Sequence, residues 1–231
     1  MELGEPVEWA PGMSLLADVD PAAWIGEALA PAARSGTVAA MVPPVFAAYA
    51  RVLPPAHDPA GGPPHRWSEI AAHAGVPLTA GTHFDDLAAG SLDWGRPGEG
   101  RLDARETKAL ARLLTGFTGT PERAFYCVWE GFGLDEIDAW MNRPMRVQTP
   151  DRAYHLLTGP VGAAPVLPAT VEWRCASLWW PADRSWLVAT EIDGYLTYVG
   201  GSQVAIDALL AAPDLDAVPV QPSTPLDPSH G

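Results

Sequence analysis

Lysine is almost missing from this chain of 231 residues: Lys108 stands alone against thirteen arginines. Bases of either kind are absent from both ends. Residues 1–33 and residues 185–231 each hold six acids and no Lys or Arg, while 34–184 carries sixteen acids against all fourteen bases. With a net charge of -14 concentrated at the ends, a phosphate backbone would be repelled, so a nucleic-acid ligand is disfavoured and a basic protein partner is admitted. The same surplus of acid also serves plain solubility.

Long apolar runs are lacking too; none approaches the roughly eighteen residues of a membrane helix. The N-terminus, MELGEPVEWAPG, is acidic where a secretory leader would be basic, which makes the cytoplasm the expected location. Cysteine is scarce. Cys127 and Cys175 sit in apolar surroundings, FYCVW and WRCAS, that suit free, buried thiols. No GxSxG, HExxH, HxH, P-loop or dinucleotide fingerprint occurs, and no internal repeat, so the reactions and architectures those signatures mark find no support. No cofactor is implied.

What the chain has in quantity is turn residues and tryptophan: 22 Gly, 25 Pro and 10 Trp. Many short elements should result. VDPAAWIGEALAP reads as a short helix with Asp20 as cap and Pro21 at its first position. VAAMV, residues 38–42, suits a buried strand; VFAAYARVL, residues 45–53, is open between strand and helix. RWSEIAAHAG predicts a short helix stopped by Gly75, and LDARETKALARLLTGFT the longest helix, with Asp103 and Glu106 as a capping box. AFYCVWEGFG, AYHLLTGP, EWRCASLWWP, RSWLVATEID and YLTYVGG read as strands, the last two joined at a tight Asp193-Gly194 turn. A closing helix follows, capped by Ser202. Helices first, then closely spaced strands, predict an α+β fold: a single domain with a largely antiparallel sheet from the C-terminal half and helices packed on it. The expected boundaries are an acidic extension with one helix over 1–33, the domain over 34–218, and a disordered Pro-rich tail over 219–231.

Candidate chemistry gathers at strand ends. Glu191 and Asp193, two apart, would share one face of a strand and could act as an acid–base pair, or simply mark where that face meets solvent. Glu130 and His155 are further catalytic candidates, His155 as a partner for a Cys127 nucleophile or for the carboxylates. In VWEGFGLDEIDAW, the acids Glu130, Asp135, Glu136 and Asp138 lie among Trp129, Phe132 and Trp140, a composition suited to docking a basic partner and equally to a turn entering a helix. His57, His65, His73 and His83 fall close together, and Glu69 and His73 have ligand-capable helical spacing, but the rest of a metal set is missing. Of the adjacent Trp179 and Trp180, only one can enter a given core; the other needs a second layer, a partner or exposure.

SLWWPADRSWLVATEIDGYLTYVGGSQVAIDALL, with CVWEGFG and YHLLTGP, resembles a group of uncharacterised proteins of high-GC bacteria over about residues 36–218. That group carries no assigned activity, so the resemblance implies an architecture and no catalytic residue. At the level of fold alone the chain is similar to SUKH-type immunity proteins, which are acidic, cytoplasmic and α+β. Two readings follow. One is an interaction protein of immunity type meeting a basic partner through its acidic surfaces. The other is a small hydrolase built on Glu191, Asp193 and Glu130, with His155.

Overall fold

Period-two patterning in the second half of the chain folds as antiparallel strands, in a computed structural model that describes residues 12–88, 94–132, 145–164 and 175–226. In chain order the strands are β1 (Ser14–Leu15), β2 (Ala48–Val52), β3 (Ala124–Trp129), β4 (Val147–Gln148), β5 (Ala153–Gly159), β6 (Leu178–Pro181), β7 (Leu187–Thr190), β8 (Thr197–Gly201) and β9 (Ala217–Val220). The helices are α1 (Ala23–Leu29), α2 (Trp67–Ala74), α3 (Phe84–Ala88), α4 (Ala104–Thr115) and α5 (Gln203–Leu210). All nine strands join one sheet, ordered β1-β5-β3-β6-β7-β8-β2-β9, with β4 on the same edge of β5 as β1. The chain is a single α+β domain, as the element order predicts.

Apolar residues on both faces of the strands demand cover on both sides. On the first face Tyr126, Trp179, Val188 and Val199 meet Leu110 and Leu114 of α4 and Ile206 and Leu209 of α5. On the second, Phe125, Trp180, Leu187 and Tyr198 meet Ile25 and Leu29 of α1. The adjacent tryptophans therefore divide between two cores. Trp179 packs on Trp186 at 5.1 Å between ring centroids, and Trp180 on Trp24 at 6.0 Å. A third cluster, around Trp67, Phe84 and Tyr195, lies beneath α2 and α3.

Several local expectations give way to tertiary contacts. VAAMV is no strand: Val38–Ala40 form a 3-10 turn. Val38 and Val42, four apart, both turn into the second core, and the Val38 N–H donates to the Thr224 carbonyl at 2.9 Å. VFAAYARVL resolves as β2, where aromatic and β-branched residues outweigh the alanines, lying between β8 and β9. The tail expected from residue 219 is ordered through Leu226. Val220 belongs to β9, and the Leu226 N–H donates to the Gly36 carbonyl at 2.8 Å, because this segment satisfies the backbone of residues 36–39. Residues 14–15 and 23–29, expected as part of an extension, supply β1 and α1 to the same sheet and core.

Cap chemistry also departs in two places. Asp20, expected to cap the first helix, is instead the first residue of a 3-10 turn over Asp20–Ala22, and α1 starts at Ala23 with no side-chain cap. Ser202 caps α5 by accepting from the Ala205 N–H at 3.2 Å, and Gly75 ends α2 at φ 69. Asp103, by contrast, makes no side-chain cap. It pairs with Arg101 at 3.2 Å, and Glu106 is buried, 8% exposed. Burial, with Asp103 adding to it, raises the Glu106 pKa above the ordinary glutamate value. A carboxyl whose pKa rises on folding binds protons in the native state, so its penalty is relieved as pH falls and present as pH rises. Glu106→Gln is accordingly expected to raise Tm near pH 8, with the gain shrinking toward about pH 4; thermal melts across that range check it.

Candidate functional site

The β7–β8 hairpin closes at the pair Thr190↔Thr197, leaving residues 191–196 as a loop. The expected two-residue turn at Asp193-Gly194 is therefore replaced by a wider one, and Glu191 and Asp193 leave the strand. Two long-range contacts account for this. Gly100 N–H donates to the Gly194 carbonyl at 2.7 Å, and Arg152, just before β5, reaches both carboxylates. Its Nη1 lies 2.7 Å from Glu191 Oε1 and its Nη2 2.9 Å from Asp193 Oδ2. Glu191 Oε1 also accepts from the backbone N–H of Ile192 at 2.8 Å and of Asp193 at 3.2 Å. Burial works to lower the Arg152 pKa, but Glu191, through charge and hydrogen bond, together with Tyr154 and Asp193 carries it above the ordinary arginine value.

The two carboxylates thus come together as a guanidinium clamp, not as an acid–base pair. The clamp forms one wall of a cleft of about 270 Å³ on the second face of the sheet. Leu29, Met41, Leu178 and Leu226 give this cleft its apolar surface, and Thr149, Asp151 and Tyr154 contribute polar groups. Burial pushes the Tyr154 phenol up to about 12. A shallower groove alongside shares Ala33, Thr149, Pro150 and Asp151.

Arg152→Leu would leave Glu191 and Asp193 side by side without their counter-ion. Arg152 is 25% and Glu191 19% exposed, so screening is incomplete, and a loss of about 1–3 kcal/mol in urea unfolding is expected. In a Glu191→Gln background the same substitution should cost measurably less, the difference being the coupling of the pair. Equal costs in the two backgrounds would show that the Arg152–Glu191 pair contributes nothing.

The other candidates separate. Glu130 pairs with a different arginine, Arg146, at 3.4 Å. His155 lies opposite Val128 in register and Cys127 opposite Leu156, so by strand alternation His155 faces the first core and Cys127 the second. No Cys127–His155 pair can form, and burial raises the Cys127 thiol well above the ordinary range. Cys175 is also free and buried. Glu69 accepts the Arg66 backbone N–H at 3.1 Å, so this carboxylate is engaged at the start of α2, with His73 in its last turn. His65 packs against Trp94 at 4.2 Å. Among the described residues no three His, Cys, Asp or Glu side chains are placed to hold a metal ion, and no helix is long and apolar enough to cross a membrane.

Trp129 and Phe132, both half-buried, meet edge to face at 5.3 Å. Gly131 permits this, since a Cβ there would stand 2.3 Å from the Trp129 ring. Asp135, Glu136, Asp138 and Trp140 lie outside the described residues.

Sequence reasoning missed Arg152 and Tyr154. Their only local signal is an arginine and an aromatic opening the strand AYHLLTG. It also missed a buried polar row across the first face. Ser177, Thr190 and Thr197 follow one another on adjacent strands, with the two threonine hydroxyls 3.1 Å apart. Comparisons with protein-family models, with curated proteins and with solved structures return no match to this chain, so the reading of the site rests on its own geometry.

Proposed function

We propose that this protein is a cytoplasmic interaction protein of immunity type, engaging a basic protein partner through acidic surface and the segment that begins at Trp129. The observation that carries the reading is how the carboxylates divide. Glu191, Asp193, Glu130 and Asp214 are each engaged by an arginine within the fold. Asp20, Glu27, Glu122 and Asp151 are exposed, with no ion pair to a base among the described residues. Segments 1–11, 89–93, 133–144, 165–174 and 227–231 add nine acids against two arginines, half of the net charge of -14. The exposed acids of the described residues are thus available outward, and a net negative charge of this size steers association with a basic surface. Trp129 and Phe132 supply firm aromatic area at the root of the segment holding Asp135, Glu136, Asp138 and Trp140, and aromatics dominate binding hot spots.

The alternative is a small hydrolase using Glu191 and Asp193. Against it, the Arg152 guanidinium stands between the two carboxylates, where a substrate or an activated water would have to sit. Glu130 is held by Arg146, and His155 is buried in the first core.

Affinity purification of the tagged protein from its native cells, at low and high salt, tests the proposal. One near-stoichiometric basic protein, lost at high salt, is expected. Reversing Asp135, Glu136 and Asp138 to lysine should abolish its capture, while Asp207→Lys on α5 should not. No partner at either salt, or capture indifferent to the reversals, would overturn the reading.

A further inference from the structure

We infer that the cleft beside Arg152 is a binding site for a small amphipathic cation, an ammonium group carrying a short apolar tail. The sign of the ligand follows from which polar atoms are already engaged. Arg152 already pairs with two carboxylates, Glu191 through Nη1 and Asp193 through Nη2, so its positive charge is more than balanced and offers an anion little net attraction. Glu191 is the reverse case. Its Oε1 accepts three donors, from Arg152, Ile192 and Asp193, and these fix the carboxylate in place. Its Oε2 has no hydrogen-bond partner among the described residues, and the side chain lines the cleft at 19% exposure. A rigid, partly desolvated carboxylate with one spare oxygen is a preorganised acceptor for a charged N–H donor.

The charge balance points the same way. Arg152 pairs with two carboxylates, Glu191 and Asp193, and neutralises one charge of the two; Asp151 lines the same cleft, and Arg34 lines the groove beside it. Part of the wall is apolar: Leu29, Met41, Leu178 and Leu226 offer a surface for a hydrocarbon tail. The space, about 270 Å³, suits a small ligand. Asp151 is common to this site and to the acidic surface proposed for the protein partner.

The test uses three six-carbon probes on the full chain: n-hexylammonium, hexanoate and 1-hexanol. Binding is followed by amide NMR at Ile192 and Asp193, whose N–H groups donate to Glu191. Hexylammonium should shift both signals saturably, with hexanoate and hexanol at least about tenfold weaker. Glu191→Gln should weaken hexylammonium about tenfold, since a hydrogen bond to a charged acceptor is lost. Ala33→Leu, which narrows the rim without touching the carboxylate, should weaken the ammonium and the alcohol alike, and keeps the test decisive if Glu191→Gln disturbs the loop. No saturable shift with hexylammonium, hexanoate binding as well as the ammonium, or binding indifferent to Ala33→Leu would each overturn the inference.

Discussion

Trp180→Ala is expected to destabilise the protein by about 3–5 kcal/mol, the range for truncating a large aromatic in a packed core. Trp180 is 0% exposed in β6, between β3 and β7. Its ring is met edge-on by Trp24 at 6.0 Å and packs at 5.8 Å on Phe125. Truncation would open a void on the second face, directly beneath the layer that contains α1. A helix of seven residues is far too short to hold itself together in water, so α1 depends on that packing. Total stabilities run to about 5–15 kcal/mol, so a loss of this size would bring the protein close to unfolding at physiological temperature. Urea unfolding followed by far-UV circular dichroism gives the value, and a loss below about 1 kcal/mol would show that α1 is held by something else. Trp180→Phe should be much milder. The Trp180 Nε1 has no hydrogen-bond partner among the described residues, so phenylalanine gives up ring area and no polar contact within them.

Gly100→Ala should have the second-largest effect, about 2–4 kcal/mol, and it should reach the cleft. Gly100 has φ +72, and a Cβ there would stand 2.6 Å from the carbonyl oxygen of Ile192. The left-handed conformation alone costs an L-residue about 1–2 kcal/mol. The clash adds to this, because the obstacle is backbone and cannot swing aside. The same residue donates to the Gly194 carbonyl at 2.7 Å, so pushing it away loosens the loop that presents Glu191 and Asp193 to Arg152. Gly75→Ala is the matched control. Gly75 has φ +69 but nothing within 4 Å of its Cβ position, so it should show the backbone cost alone. If both substitutions cost the same, the close approach of residue 100 to the loop has no energetic weight. If Gly100→Ala costs more and also broadens the Ile192 and Asp193 amide signals, the link between that glycine and the cleft is established.

The amino-acid sequence by itself determined whatever depends on near neighbours in the chain. Alternation in AFYCVW and in LVAT produced β3 and β7, and the apolar stripe of Leu110 and Leu114 produced α4 with its buried face. Ser202 marked the start of α5, Gly75 marked the end of α2, and the order of elements was enough to read an α+β fold. The adjacency of Trp179 and Trp180 already required that the two rings lie on opposite faces, because neighbouring strand residues point oppositely; that a second core covers Trp180 came from the fold.

Tertiary structure decided the rest. Residues 38–42 have the apolar content of a strand, yet curl into a 3-10 turn because residues 222 and 224 take up their N–H groups. Glu191 and Asp193 have the spacing of a strand face, yet leave the strand because Arg152 of β5's approach and Gly100 hold the loop elsewhere; two strands, β3 and β6, lie between β5 and β7 in the sheet. Cys127 and His155 sit on neighbouring strands, but register placed them on opposite faces. Periodicity and capping act over a turn or two of chain, so local sequence carries them. Ion pairs, register and close backbone approach join residues far apart in the chain, and only the folded arrangement determines which of them meet.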